Sequence, residues 1–277
     1  MSRIHVLCMF LIIVCLVLPV GFGNDSDSVV ITYGETTQSN LEYKGIVNDY
    51  FVNHAHVDVG STNNKIMTSK DINDLYGSVF NESFSRDQIF TTVLADLNDT
   101  NDLDVVVDSS KITLVDSDML ESALRSAGIT YGRVFITSPV EDNGVMALGE
   151  ILNSYESVTN MEIPGDVKKA VICEISVEAS ILENSNVSKK DLINLVEDVK
   201  KESVKDNIST YDDMVKLINK SVVKDNLSLC EEDVDSLSSM ILFVNMQRDD
   251  ARDYMLRISD FSGGSCTDEY SLYNIIK

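Results

Sequence analysis

The stretch Lys111–Pro139 decides the fold class of this chain; it reads KITLVDSDMLESALRSAGITYGRVFITSP. Two short apolar and β-branched runs, Ile112–Val115 and Val134–Thr137, predict strands. Between them, apolar residues recur at helical spacing, with Asp116 placed as a cap and Gly128 where a helix normally ends. The stretch therefore predicts a strand–helix–strand unit, which is a framework without catalytic chemistry of its own.

Other strand patterns extend this unit into a mixed sheet of about five strands. The predicted strands are Val29–Tyr33, Gln88–Asp96, Leu103–Asp108, Ile112–Val115 and Val134–Thr137. We expect the middle three to form an antiparallel meander. Helices are predicted from Thr36 to about Phe51 and around Ile72–Phe80, with a loop from Ser61 to Asp71. These elements predict an α/β (α+β) domain over residues 24–140.

Residues 141–260 have the character of an all-α helical half. Apolar stripes predict the helices Gly144–Glu156, Pro164–Leu182, Ser188–Ser203, Tyr211–Val223 and Glu231–Ile258. Residues 261–277 show no periodicity and are predicted to form a flexible tail.

The last predicted helix repeats its apolar residues at a spacing of about 3.5 over about four heptads. The stripe consists of Val234, Leu237, Ile241, Val244, Ala251, Met255 and Ile258, and Arg248 interrupts it. Such a stripe can form a coiled-coil seam for self-association. It can also be the core face of a helical bundle, which is the commoner use of this pattern.

The segment Met1–Gly23 has the pattern of a secretory signal peptide. Arg3 gives a basic start, Val6–Val20 is almost continuously apolar, and small residues precede a cleavage site before Asn24. The alternative is an uncleaved membrane anchor, since the apolar run approaches spanning length. We expect a secreted or cell-envelope, extracytoplasmic protein without a transmembrane span after cleavage.

Composition restricts the possible partners. The formal charge of −23 over 277 residues argues against nucleic acid and against an anionic membrane surface. After the predicted signal, Cys173, Cys230 and Cys266 allow at most one internal disulfide, and their pairing stays open. The spacing of the cysteines and histidines matches no zinc or thioredoxin-like motif.

The segment NHAHVDVG, Asn53–Gly60, contains the sharpest local pattern. On an extended backbone His54, His56 and Asp58 would share one face, as metal ligands do in some metallohydrolase strands. The alternative is a solvated strand end without a metal.

The segment DLNDTNDLD resembles a calcium loop in its alternation of oxygen-bearing side chains. These residues are Asp96, Asn98, Thr100, Asp102 and Asp104. Val107 stands where a calcium loop needs a bidentate Glu, so an acidic, solvated hairpin turn is the favoured interpretation. We expect no cofactor, with calcium or a transition metal as the alternative.

A ligand crevice is a further hypothesis. If Val29–Tyr33 and Val134–Thr137 run parallel, Gly34, Glu35, Ser138 and Glu141 would lie beyond the carboxyl ends of the strands, where ligands collect. Glycine and nearby proline are equally well explained as turn formers.

Seven Asn-x-Ser/Thr triplets are possible glycan acceptors in an exported chain. They begin at Asn24, Asn81, Asn98, Asn186, Asn207, Asn219 and Asn226. The turn positions Asn98 and Asn186 are the strongest candidates, followed by Asn81 and Asn226.

Several of these motifs together resemble a known family. They are VITYGE at Val30–Glu35, the helix ending in A-L-R-S-A-G-I at Ile129, the strand before Pro139, and GVMALGEILNSYE at Gly144–Glu156. This pattern is similar to the YpuA-like family of unknown function (domain of unknown function 1002), exported or envelope proteins of Gram-positive bacteria and methanogenic archaea. The resemblance implies a fold and an extracytoplasmic location but no catalytic residues. This chain departs from the pattern in its seven triplets and in its end after Ile258.

Two functional classes remain open from sequence alone. The first is a non-catalytic exported binding or scaffold protein that contacts a cell-envelope or extracellular protein through its helical half. The second is an exported metal-assisted hydrolase that uses His54, His56 and Asp58. Serine-hydrolase, Walker and Rossmann motifs find no match in the sequence.

Overall fold

The computed structural model describes residues 28–80, 83–98 and 102–261. Its sheet consists of β1 (Val29–Gly34), β2 (Asn63–Met67), β3 (Thr92–Asp96), β4 (Leu103–Val107) and β5 (Gly132–Thr137). The strand order is β2-β1-β3-β5-β4. The pairs β1–β2 and β4–β5 are parallel, whereas β3 is antiparallel to both β1 and β5. The prediction of a mixed five-stranded sheet is confirmed.

Ten α-helices belong to the described residues. They are α1 (Glu35–Ser39), α2 (Leu41–His54), α3 (Ser69–Phe80), α4 (Ser117–Ser126), α5 (Ala147–Thr159), α6 (Gly165–Asn184), α7 (Lys189–Lys205), α8 (Tyr211–Lys224), α9 (Glu231–Met246) and α10 (Arg248–Phe261). The prediction of a helical C-terminal half is confirmed. Within the described ranges, no helix combines the length and the hydropathy needed to cross a bilayer.

Helix α4 begins and ends where its sequence predicts. The Asp116 side chain accepts a hydrogen bond from the Met119 amide, which satisfies one of the free donors of the first turn. At the other end Gly128 adopts a φ of +80°, and the Ile129 amide donates to the Leu124 carbonyl at 2.9 Å. This left-handed glycine closes the helix and turns the chain into β5.

Two strand predictions were wrong. Ile112–Val115 is not a strand, because only Ile112 makes an isolated bridge, to Asp142. The predicted loop contains β2, a polar edge strand of which only Met67 is buried. The meander was also wrong, since β5 inserts between β3 and β4.

The sheet buries both of its faces. On one face Ile31, Tyr33, Leu94 and Phe135 pack against Val47 and Phe51 of α2. On the other face lies a larger core that includes residues from both predicted halves, from Val30 and Val134 to Ile175 and Tyr254. The domain boundary at residues 140 and 141 stays a prediction. The predicted signal, residues 1–23, and the tail after Phe261 lie outside the described residues.

The predicted helix Glu231–Ile258 is two helices, α9 and α10, separated at Gln247. The Val234, Leu237, Ile241 and Val244 side chains are buried in a second core between α6, α7, α8 and α9. The interpretation of this stripe as the core face of a bundle is therefore confirmed. The stripe does not form a continuous coiled-coil seam, because the helix breaks at Gln247 and the chain's own helices cover these α9 side chains. Self-association stays a prediction.

Candidate functional site

The predicted crevice residues Gly34 and Ser138 do reach the same edge of the sheet. Both β1 and β5 run antiparallel to β3, so the two strands point in the same direction. Extending the registers places Gly34, Thr91 and Ser138 in one row across the three strands, and the Gly34 amide donates to the Thr91 carbonyl at 2.9 Å. Ser138 is fully buried, and its Oγ has no hydrogen-bond partner among the described residues.

The two acidic crevice residues do not join this row. Glu35 accepts hydrogen bonds from the Ser69 amide and hydroxyl at the start of α3 and pairs with Arg86 at 3.2 Å. Glu141 is exposed. Glu150 of α5 lies at this end of the strands instead. Nothing in the sequence indicated this position, because the neighbours of Glu150 form an ordinary helical pattern. Glu150 is buried and accepts a hydrogen bond from Thr91 Oγ1 at 2.9 Å.

Burial raises the pKa of Glu150 well above its ordinary range, although the Thr91 hydrogen bond acts in the opposite direction. Glu150 Oε2 has no hydrogen-bond partner among the described residues. Glu150 and Ser138 are both buried and thus belong to a polar cluster of the interior. A ligand crevice at this end of the sheet stays a prediction.

The histidine segment does not form the predicted extended face. His54 is the last residue of α2 and stacks on Tyr50, with ring centroids 4.3 Å apart. His56 adopts a φ of +57°, and Asp58 accepts a hydrogen bond from the Gly60 amide in the next turn. Since the helix includes the first histidine, the three side chains do not share the face of an extended strand, and a metal site there stays a prediction.

The carboxylates of the predicted calcium segment have other partners. Asp102 pairs with Arg125 at 3.0 Å, and Asp104 pairs with Arg133 at 3.1 Å. Asp96 accepts a hydrogen bond from the Asn98 amide at 2.9 Å. Thr100 lies outside the described residues, so calcium binding there stays a prediction. Among the described residues, no group of three or more His, Cys, Asp or Glu side chains could hold a metal ion.

A buried ionic cluster joins α4, α6 and α7. Lys200 Nζ lies 2.8 Å from Glu174 Oε1 and 2.8 Å from Glu197 Oε1, and it donates to Ser122 and Ser126. Burial opposes the charge of Lys200, but the two carboxylates raise its pKa above the ordinary value. A lysine that stays protonated cannot serve as a general base for either serine, so the cluster lacks the chemistry of a Ser–Lys hydrolase.

A large open groove runs along α6, with a volume of about 1320 Å³. Its walls come from α3, the segment before α5, the second half of α6, and the starts of α7 and α9. We call it the α6 groove; its lining includes Tyr76, Val145, Ser180, Ser188 and Glu232. None of the four predicted crevice residues belongs to its described lining. The residues that line the groove are far apart in the chain, and no local motif in the sequence identifies them.

Two cysteines line the α6 groove. Cys230 is exposed at the start of α9, and Cys173 is partly buried on α6; both are free thiols in the structure. Burial raises the pKa of Cys173, and Glu174 adds to this effect. Cys266 lies outside the described residues, so pairing among the three cysteines stays open.

Two of the Asn-x-Ser triplets have a structural role at helix ends. Asn207 and Asn226 each adopt a φ of +55°, and the next residue, Ile208 or Leu227, donates back to a carbonyl five residues earlier. Each of these right-handed helices is followed by one residue in the left-handed conformation, and asparagine takes the place of the usual glycine there. The glycan candidates Asn98, Asn186 and Asn226 are exposed, and Asn81 lies outside the described residues.

The sequence profile of a family described as "Protein of unknown function (DUF1002)" matches residues 33–260. The match covers most of the chain, so the chain belongs to this family, and the predicted resemblance is confirmed. The chain is also 24% identical over 102 residues to "Uncharacterized protein YpuA" of Bacillus subtilis (strain 168), an alignment covering 37% of this chain and 34% of that protein. The chain thus aligns with about a third of this relative. No solved structure matches.

Proposed function

We propose that this chain is an exported, non-catalytic binding protein that holds a protein partner in the α6 groove. The observation that carries the proposal is the groove itself. It is larger than the roughly 300–1,000 Å³ of small-molecule sites, and its walls come from five segments of the fold. The secretory pattern of Met1–Gly23 supports export to the cell envelope or the medium.

The chemistry of the other clusters supports binding over catalysis. The Lys200 ammonium is held between two carboxylates in the interior, and the Glu150 carboxyl is buried. The α6 groove, in contrast, exposes hydroxyl, amide, carboxylate and apolar groups together, a mixture typical of protein-binding surfaces.

The binding part is tested by blocking the groove. Ser180 is an exposed residue of its lining, whereas Ser209, equally exposed, lies in the turn between α7 and α8 outside the described lining. Tagged Ser180→Trp and Ser209→Trp proteins are incubated with solubilised envelope fractions. We expect Ser209→Trp to retain the same partner as wild type and Ser180→Trp to lose it. Equal retention by both variants, or no partner with wild type, would overturn the proposal.

The export part is tested by the mass of the mature protein. We expect extracytoplasmic protein that begins at Asn24. Full-length protein confined to the cytosol would contradict export.

A further inference from the structure

The α6 groove is acidic and has no basic side chain in its described lining. Its four carboxylates are Glu183, Asp191, Glu232 and Asp233. None of them lies within ion-pair distance of a basic side chain of the described residues. Many other carboxylates do have such a partner: Glu156 pairs with Lys168 and Glu202 pairs with Lys220. The groove therefore presents uncompensated negative charge to whatever enters it.

Nearby positive groups do not cancel this charge. Lys189, next to the groove, donates to the Thr113 carbonyl at 3.0 Å. Helices α5, α7 and α9 begin within the lining, and each helix N-terminus carries about +0.5 charge. Three such ends and the Lys189 ammonium contribute roughly +2.5 against the four carboxylates, which leaves about −1.5. The balance favours a cationic occupant over an anionic one.

The groove also offers apolar surface, because it lies where the two large cores meet. Phe84, Leu114 and Met146 reach it from the core beneath the sheet. Val177 and Leu227 reach it from the core of the helical half. These side chains are only partly buried, so an occupant with apolar groups would cover them and gain hydrophobic stabilisation.

We infer that the occupant of the α6 groove is a basic, partly apolar polypeptide segment of the partner protein. Lysine or arginine side chains of the segment pair with Glu183 and Glu232, and its apolar side chains cover Val177 and Leu227. The serine and asparagine side chains of the lining supply hydrogen bonds to its backbone. This inference rests on the proposed function and adds the chemistry of the partner.

The test uses fluorescein-labelled peptides and fluorescence anisotropy. One peptide consists of Lys-Val-Ser repeats, a second replaces Lys with Glu, and a third replaces Val with Ser. We expect the Lys-Val-Ser peptide to bind most tightly, and its affinity to fall as salt is added. The protein variant Glu183→Lys/Glu232→Lys should bind it at least about tenfold more weakly, because attraction becomes repulsion.

The matched control is Asp49→Lys/Asp253→Lys, which makes the same change in net charge at exposed positions of α2 and α10 outside the described lining. We expect it to keep most of the affinity. Equal weakening by both double variants, equal binding of the Lys and Glu peptides, or no binding of any peptide would overturn the inference. If Ser180→Trp still blocks capture of the envelope partner in that case, the proposed function stands and only the partner's chemistry is wrong.

Discussion

Lys200 and Glu174 form an ion pair with 2.8 Å between Nζ and Oε1, and Glu174 is completely buried. Glu197 lies at the same distance from the lysine, and the Ser122 hydroxyl lies within hydrogen-bond distance of both carboxylates, 2.9 Å from Glu174 Oε1 and 2.6 Å from Glu197 Oε1. Burial acts to raise the pKa of Glu197, but Lys200 lowers it to about 2. The cluster therefore connects α4, α6 and α7 through one lysine that is shared by two carboxylates.

Removal of the Lys200 charge tests this cluster. We expect Lys200→Met to lower the free energy of unfolding by about 3–5 kcal/mol, because it leaves buried carboxylates without a counter-charge. The control is Lys216→Met, since Lys216 pairs with Asp213 at 2.8 Å on the exposed surface. That change should cost less than about 1 kcal/mol. Similar losses in urea unfolding of the two variants would contradict the role of the cluster.

The neighbouring Glu178 gives a prediction about pH. Burial raises its pKa well above the ordinary value of 4.5, and Glu174 adds to this rise. Lys200 opposes the shift, whereas Glu197 and Asp116 add to it. The folded chain thus keeps a proton that the unfolded chain releases above pH 4.5. The stability that Glu178 contributes is fully present below that pH and is lost as the pH rises toward its folded pKa.

Glu178→Gln keeps the neutral form at every pH and removes this loss. We expect its stability advantage over wild type to grow with pH, by up to about 1.4 kcal/mol per pH unit within the titration range. Urea unfolding at about pH 5 and about pH 8 measures the change. Glu183→Gln, on the exposed end of α6, is the control and should change stability by less than about 0.5 kcal/mol at both. A pH-independent difference for Glu178→Gln would show that its carboxyl ionises normally.

Two glycines should respond to alanine in opposite ways. Gly128 has a φ of +80°, and a Cβ there would overlap the Ala251 carbonyl of α10. Gly128→Ala should therefore destabilise the protein by more than about 1 kcal/mol. Gly45 lies within α2 with no atom near its missing Cβ, so Gly45→Ala should stabilise by about 0.5–1 kcal/mol. Thermal unfolding measures both, and a neutral Gly128→Ala would argue against the close approach of Gly128 to Ala251 of α10.

An asparagine in the left-handed backbone conformation should likewise respond differently to two substitutions. Asn226 has a φ of +55° between α8 and α9. Asn226→Ala should cost about 1 kcal/mol, whereas Asn226→Gly should stay within about 0.5 kcal/mol of wild type. Urea unfolding of unglycosylated protein separates the two. Equal stability of both variants would indicate that this turn does not require the left-handed conformation.

The sequence predicted the fold class because long apolar stripes and helix ends are local signals. The run from Asp116 to Gly128 contains its own cap and its own stop, so α4 was correctly placed. The strand β2 was missed because its sequence, NNKIM, is polar, and it is held by pairing with the buried β1. The interruption of the apolar stripe at Arg248 coincides with the break at Gln247, but the apolar spacing resumes at Ala251, so the sequence predicted one helix.

The candidate site could not be predicted in the same way. Tyr76, Asn143, Ser180 and Glu232 meet in the α6 groove only after four segments pack together. The histidine segment shows the opposite error. Its alternation is real, but it requires an extended backbone, and α2 continues as far as His54. Local patterns identify elements well, whereas a groove depends on how distant elements pack.

The most direct measurement is photocrosslinking in cells that produce the full chain. A benzophenone amino acid is placed at Ser180 in the α6 groove or at Ser209 outside it. The account predicts an extracytoplasmic adduct from position 180 alone, joined to a partner peptide that carries Lys or Arg and absent when Glu183→Lys/Glu232→Lys is added. Equal adducts from both positions, or adducts confined to the cytosol, would contradict an exported protein that binds its partner in this groove.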